Sequence, residues 1–271
     1  NAVTTQWFSV PAAALPAGGW VGFAGSEFTV LEAFAHHRKL PRGALSENRF
    51  LIRIRNCEAD RSAVHARLER LAAQGVANYF GAQRFGRAGA NLAAAAAAAA
   101  QGAALRARRS AAGGFALSAA RSLIFNAVLA ARIADGSWSS IEPGDIAILD
   151  GRGSVFAVDA TDAVLLERCR RLEVHPSGPL WGRAEPSTRA RIGALERAIG
   201  LEFQELAAWL AAAGLEHERR SLRLRVRALQ HRWEDQDLIL EFALGPGSFA
   251  TAVLRELVTT AQEGEESAGS S

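Results

Sequence analysis

Strand-like alternation near both ends of this chain, with helix-like spacing between, is what most limits its fold. In residues 48–56, Phe50, Ile52 and Ile54 fall on one face and Arg49, Leu51, Arg53 and Arg55 on the other. The period of two returns in 222–228, where Leu222, Leu224, Val226 and Ala228 alternate with Arg223, Arg225 and Arg227. It appears again in 238–244, where Leu238, Leu240, Phe242 and Leu244 alternate with Ile239, Glu241 and Ala243. Strands need neighbours for their backbone groups, so segments far apart in sequence must meet in one sheet. The expected fold is α/β (α+β): a mixed or antiparallel sheet domain from residues 1–74 and 222–271. A largely helical domain, 75–221, is inserted between its two parts.

Helical spacing first appears at 60–74, through Val64, Leu68 and Leu71, with Asp60 placed to cap the N-terminus. Residues 91–104 are rich in alanine, the strongest helix former. Further helices are expected at 117–134, 161–173, 188–199, 203–213 and 249–257. Pro143-Gly144-Asp145 opens a short β segment, and Gly151-Arg152-Gly153-Ser154 reads as a tight turn within it. Aromatic runs at 5–10 and 28–34 read as two more strands. The small, acidic tail 263–271 reads as disordered. No internal repeat is visible.

A hydrophobic fraction of 49% over 271 residues supports a substantial core. Mean hydropathy is +0.03, and no uninterrupted apolar run approaches the ~20 residues of a membrane span. A soluble, cytoplasmic protein, acting as a monomer and without a membrane partner, is expected. Cys57 and Cys169 have no metal-ligand spacing and cannot form a disulfide framework. The chain starts at Asn1 and contains no methionine, so a segment upstream of Asn1 is expected in the whole protein.

Lys39 is the only lysine among 31 basic residues. Arginine is suited to bidentate phosphate contacts and to stacking, although a G- and C-rich genome would produce the same bias. Local patterns carry more weight. Arg223, Arg225 and Arg227 should stand about 7 Å apart on one strand face. Such a row is either a phosphate-binding surface or a solvated face balanced by carboxylates. The basic loop 36–43, with Arg38, Lys39 and Arg42, carries the same two readings. No metal or cofactor is expected. Phosphate-loop, nucleophile-elbow and zincin motifs are all lacking.

Asn78-Tyr79-Phe80-Gly81-Ala82-Gln83-Arg84-Phe85-Gly86 combines paired aromatics, glycines, an amide and a cation. Rings stack on bases, arginine holds phosphate, and glycine admits close backbone approach. Four other blocks accompany it in order. Asn1-Ala2-Val3-Thr4-Thr5-Gln6 resembles the downstream half of the motif Gly-x-Lys-Asp-(Arg/Lys)-x-Ala-Val-Thr-x-Gln. Arg38-Lys39-Leu40 and Gly43-Ala44-Leu45 precede Asn48-x-Phe50, with Glu47 where glycine is usual. Ser118-Ala119-Ala120-Arg121-Ser122 is followed by Phe125-Asn126. Pro246-Gly247-Ser248-Phe249-Ala250-Thr251 leads to Arg255-Glu256-Leu257. Taken together the blocks span nearly the whole chain, which resembles the TruD family of tRNA pseudouridine synthases.

The resemblance implies a pseudouridine-synthase sheet domain with an inserted TruD-specific domain, tRNA as partner and no cofactor. It implies isomerisation of a tRNA uridine, usually position 13 in the D arm, to pseudouridine. The family's essential aspartate would lie two residues before Asn1. No catalytic residue is therefore expected in this chain, which alone should be inactive. By motif match Asn48, Phe50 and Phe249 contact the target nucleotide, with Arg84 as a phosphate or intramolecular anchor. Core packing is the competing role for Phe50 and Phe249. A noncatalytic RNA-binding or RNA-chaperone protein that kept the fold is the alternative.

Overall fold

The computed structural model describes residues 3–14, 19–41, 44–102 and 110–257. Arg42, residues 103–104 of the alanine-rich helix and the 263–271 tail lie outside the described residues. The chain forms two compact units, Asn1–Ser46 and Glu47–Ser271. In the first, the strands expected at 5–10 and 28–34 do not form. Its described residues hold one 3₁₀ turn, Ala12–Ala14, and one isolated bridge, Ala24 to Thr29. Aromatic composition favours strands only when a partner ladder is available, and among the unit's described residues the pairing is limited to the short contact of 22–25 with 28–30. Its rings meet locally, as at Trp7–Phe34, with centroids 5.8 Å apart.

The second unit opens with β1 (Asn48–Ile54), whose inward residues are Phe50, Ile52 and Ile54, as the alternation predicts. Helix α1 (Arg61–Gln74) follows. The Asp60 carboxylate accepts from the Ser62 N–H at 3.0 Å, the expected cap. After β2 (Val76–Ala77) come α2 (Ala82–Phe85), α3 (Ala90–Ala100) and the long α4 (Ala111–Ala134). The chain continues through β3 (Ile146–Leu149), β4 (Val155–Ala157), α5 (Ala163–Arg170), β5 (Val174–Leu180), α6 (Ala190–Glu202) and α7 (Gln204–Ala212). It ends with β6 (Glu218–Ser221), β7 (Arg223–Leu224), β8 (Arg227–Glu234), β9 (Asp237–Leu244) and α8 (Ala250–Arg255).

Strands from the two ends of the unit pair as their alternation requires. β1 lies antiparallel to β9, with Phe50 opposite Phe242, and β9 pairs with β8. A second antiparallel sheet has the order β4-β3-β5-β6, and β2 pairs with β7. The molecule is thus α/β with antiparallel sheets. By length and composition α4 could cross a membrane, a property the run lengths did not reveal. In the fold it is a core helix: Ala119, Ala120, Ile124, Phe125 and Leu129 are fully buried among neighbouring elements.

The expected strand 222–228 is corrected. It divides into β7 and the start of β8, with a register shift between Arg227 and Gln230. Ala228 takes the left-handed region at φ 49°. The bulge follows Arg227, and the three arginines keep to one side, toward His175 and Asp150. Arg223 is buried, so it forms no exposed stripe. Its Nε donates to His175 Nδ1 at 3.1 Å, and its Nη groups reach the carbonyls of Ser139, Cys169 and Val174. Arg225 and Arg227 both face Asp150, at 3.6 and 2.6 Å. Arg53 likewise pairs with Asp237 at 3.0 Å and with Glu234.

Because Nδ1 of His175 accepts from Arg223, its Nε2 carries the proton and donates to Asp150 Oδ1 at 3.2 Å. Burial opposes charge on Asp150, but hydrogen bonds from His175 and Arg227 outweigh it and hold the carboxyl at about 2. Burial, helped by the Arg223 and Arg225 cations, pushes His175 below its ordinary range. Both folded-state values lie below the unfolded ones, so stability is lost as pH falls. The His175 contribution goes below about pH 6.5; that of Asp150, about 2 kcal/mol, goes between about pH 4 and pH 2. Thermal melts should fall from pH 7 to pH 5, and His175→Gln should flatten that segment. Half-buried His217, also pushed down by burial, contributes in the same direction. An unchanged slope in His175→Gln would remove His175 from this account.

Candidate nucleic-acid interface

The Asn78–Gly86 segment is bound on two sides. Beyond β2, the Asn78 N–H donates to the Leu222 carbonyl at 2.9 Å. The Asn78 side-chain Nδ2 donates to the Ser221 carbonyl at 2.8 Å. From α4, Asn126 accepts from the Phe80 N–H and donates to the Phe80 carbonyl, both at 3.0 Å. Phe80 is buried edge-on against Phe125, ring centroids 5.4 Å apart. Gly86 sits at φ 82°, where an added Cβ would lie 2.9 Å from the Asn91 side chain.

Two guanidinium groups meet on the Phe80 ring. Arg220, from β6, stands 4.2 Å from its centroid and donates to Asn78 Oδ1 at 2.7 Å and to the Gly247 carbonyl at 3.3 Å. Arg84, from α2, stands 5.1 Å from the same ring and 5.9 Å from Phe249, and donates to Ser118 Oγ at 2.8 Å. Among the described residues neither forms an ion pair with a carboxylate. Burial, and next the Arg84 charge, push Arg220 down to about 10, and its buried Nε has no hydrogen-bond partner. The group remains a cation at neutral pH. Two neighbouring cations without a counter-ion, backed by aromatic rings, suit an anion attached to a flat ring, as in a nucleotide.

Arg84 and Phe249 are therefore brought together as part of one recess, and Arg220 is the member that sequence reasoning missed. Phe249 precedes α8, half-buried, and packs in a cluster with Phe80, Phe125 and Leu222. Asn48 lies opposite Leu244 in the β1–β9 ladder, so the start of β1 adjoins the strand end that leads into the Phe249 turn. Asn48 is exposed there. Phe50 is half-buried and stacks on Phe242 at 5.3 Å, consistent with its packing role. Arg38 and Lys39 are exposed in the first unit, where Arg38 N–H donates to His36 Nδ1 at 3.0 Å. Among the described residues no group of three or more His, Cys, Asp or Glu side chains could hold a metal ion.

The fold and this recess define a mixed α/β protein in which two arginines without a carboxylate partner among the described residues meet on an aromatic cluster. The family described as tRNA pseudouridine synthase D (TruD) matches residues 1–107 and 98–257; the chain belongs to the TruD family. Similar relatives include the tRNA pseudouridine synthase D of Xanthomonas euvesicatoria pv. vesicatoria, 44% identical over 99% of this chain and 77% of the relative. Another is that of Stutzerimonas stutzeri, also 44% identical, over 96% of this chain and 75% of the relative. That of Nitrosococcus oceani is 41% identical, over 96% and 73%. The crystal structure described as a TruD from Methanosarcina mazei is similar with a TM-score of 0.55 and 19% identity. It covers 81% of this chain and 70% of that one, and it supports the fold.

Proposed function

We propose that the protein isomerises a tRNA uridine, at position 13 of the D arm, to pseudouridine. The observation that carries this reading is the 41–45% identity, over 95–99% of the chain, to relatives named tRNA pseudouridine synthase D. The C1′–N1 bond breaks, the uracil turns, and a C1′–C5 bond forms. N1 gains a proton and C5 loses one, so the reaction needs no redox partner. The aspartate on which it depends belongs to the family motif whose downstream half is Asn1-Ala2-Val3-Thr4-Thr5-Gln6. The sheet built from β1, β8 and β9 supports a catalytic domain from 1–74 and 222–271, with 75–221 inserted.

A uridine must leave its stack to react, which costs a few kcal/mol. Phe249 and Phe50 offer rings for the extruded base, and the Asn48 amide can both donate and accept toward the uracil edge. Arg84 and Arg220 hold the nucleotide's phosphate, with Arg38, Lys39 and Arg42 assigned to the remaining backbone. Whole protein incubated with an unmodified tRNA transcript should yield one pseudouridine, at position 13; absence of pseudouridine from every RNA tried would refute the proposal. Phe249→Ala should lower kcat about tenfold, the worth of one stacked ring, with tRNA affinity nearly unchanged. Equal loss of both would make Phe249 a general binding or folding residue.

A further inference from the structure

A second cavity is lined by none of the recess residues. It has a volume of about 450 Å³, and its lining includes Ala72, Arg170, Arg171, Arg225, Arg227 and Leu229. Four arginines thus come to one space from the end of α5 and from the β7–β8 connection. Among the described residues only two carboxylates answer them. Arg225 and Arg227 share Asp150, and Arg170 and Arg171 share Glu167 at 2.7 and 2.8 Å. The other oxygen of Asp150 is occupied by the His175 N–H, which brings no charge. Behind it stands buried Arg223, whose donors go to carbonyls and to His175. The wall therefore carries an excess of positive charge.

The backbone is strained at two places in the lining. Leu172 and Ala228, both in the lining, adopt φ of 60° and 49°. For residues with a Cβ that region costs about 1 kcal/mol or more, and such outliers gather at functional sites. Ala228 sits in the bulge that directly follows Arg227, the residue whose guanidinium pairs with Asp150. Strain and uncompensated charge at one cavity both disfavour the fold, and a bound anion would relieve the second.

We infer that this cavity is a second anion site, and that it holds a phosphodiester of the RNA away from the target nucleotide. The inference rests on the tRNA reading above. The competing role for Arg170 and Arg171 is local: they pair with Glu167 and favour the negative C-terminal end of α5.

The test uses the whole protein and unmodified tRNA transcript, with dissociation constants measured across a range of salt. Arg170→Gln/Arg171→Gln and Arg225→Gln are the variants; the first pair is 73% and 67% exposed, so folding should be preserved. Removing one phosphate-binding arginine should weaken tRNA binding severalfold and reduce the log–log salt slope by about 1. The effect should appear in KM far more than in kcat. Salt slope and affinity equal to those of the parent in both variants would overturn the inference, and a melting shift alone would assign the arginines to the helix end. A parent that fails to bind tRNA would sink the functional reading instead. Inorganic pyrophosphate then decides. Thermal stabilisation of the parent but not the variants would replace RNA with a free anion as occupant, and no stabilisation would remove the anion site altogether.

Discussion

Asp145→Ala is expected to destabilise the protein by about 3–5 kcal/mol, the cost of stripping one partner from a buried ion pair. Arg132 and Asp145 have no exposed side-chain surface. Arg132 Nη1 and Nη2 donate to the two carboxylate oxygens at 2.6 and 3.2 Å, Nε to Ser137 Oγ at 2.9 Å, and Nη2 to the carbonyls of Ser137 and Ser140. Asp145 also accepts from the Glu142 N–H at 2.9 Å. The network fastens the last turn of α4 to the residue that precedes β3. Removing the carboxylate leaves a guanidinium charge in the interior with only neutral acceptors. Replacing Arg132 as well removes that charge, so Arg132→Met/Asp145→Ala should be more stable than Asp145→Ala alone. Urea denaturation of the parent, Asp145→Ala, Arg132→Met and the double variant measures both quantities. A single-variant loss below about 1 kcal/mol, or additive losses, would contradict a tightly coupled pair.

The strands and helices with their own local pattern were legible in the sequence. β1 alternates and α1 has its Asp60 cap, and both formed where expected. β5 was not legible, because Pro176, Gly178 and Pro179 are residues that strands disfavour. The Pro176 carbonyl accepts from Leu222 N–H, and bare Gly178 lets Leu222 and Phe125 close in where a Cβ would stand 2.7 and 3.0 Å from them. Neither relation has a local signal. The arginine stripe failed for a similar reason. Alternation in 222–228 is real in sequence and points all three arginines toward His175 and Asp150, but the burial of Arg223 and the carboxylate opposite the other two come from residues distant in the chain. Of the recess, Arg84 and Phe249 could be found from their motifs. Arg220 could not, since in a chain this rich in arginine its burial and lack of a carboxylate are properties of the fold alone.

Those two properties give Arg220 the largest expected effect on function. A buried cation facing another cation is unfavourable in the free protein, and no carboxylate among the described residues offsets it: the Phe80 ring, Asn78 Oδ1 and the Gly247 carbonyl are neutral partners, and Nε is unpaired. A phosphate between Arg84 and Arg220 would turn the repulsion into two charge-assisted hydrogen bonds in a water-poor site. Arg220→Met keeps an apolar side chain against Phe80 and removes the charge. It should reduce kcat/KM for tRNA on the order of 100-fold or more, with the melting temperature equal to or above that of the parent. The stability result is the discriminating half. If Arg220 merely braces Asn78 and the Phe249 turn, its loss should lower the melting temperature and the activity together. If it is kept for the phosphate, stability and activity should move apart, because the site carries an electrostatic penalty that only bound RNA removes.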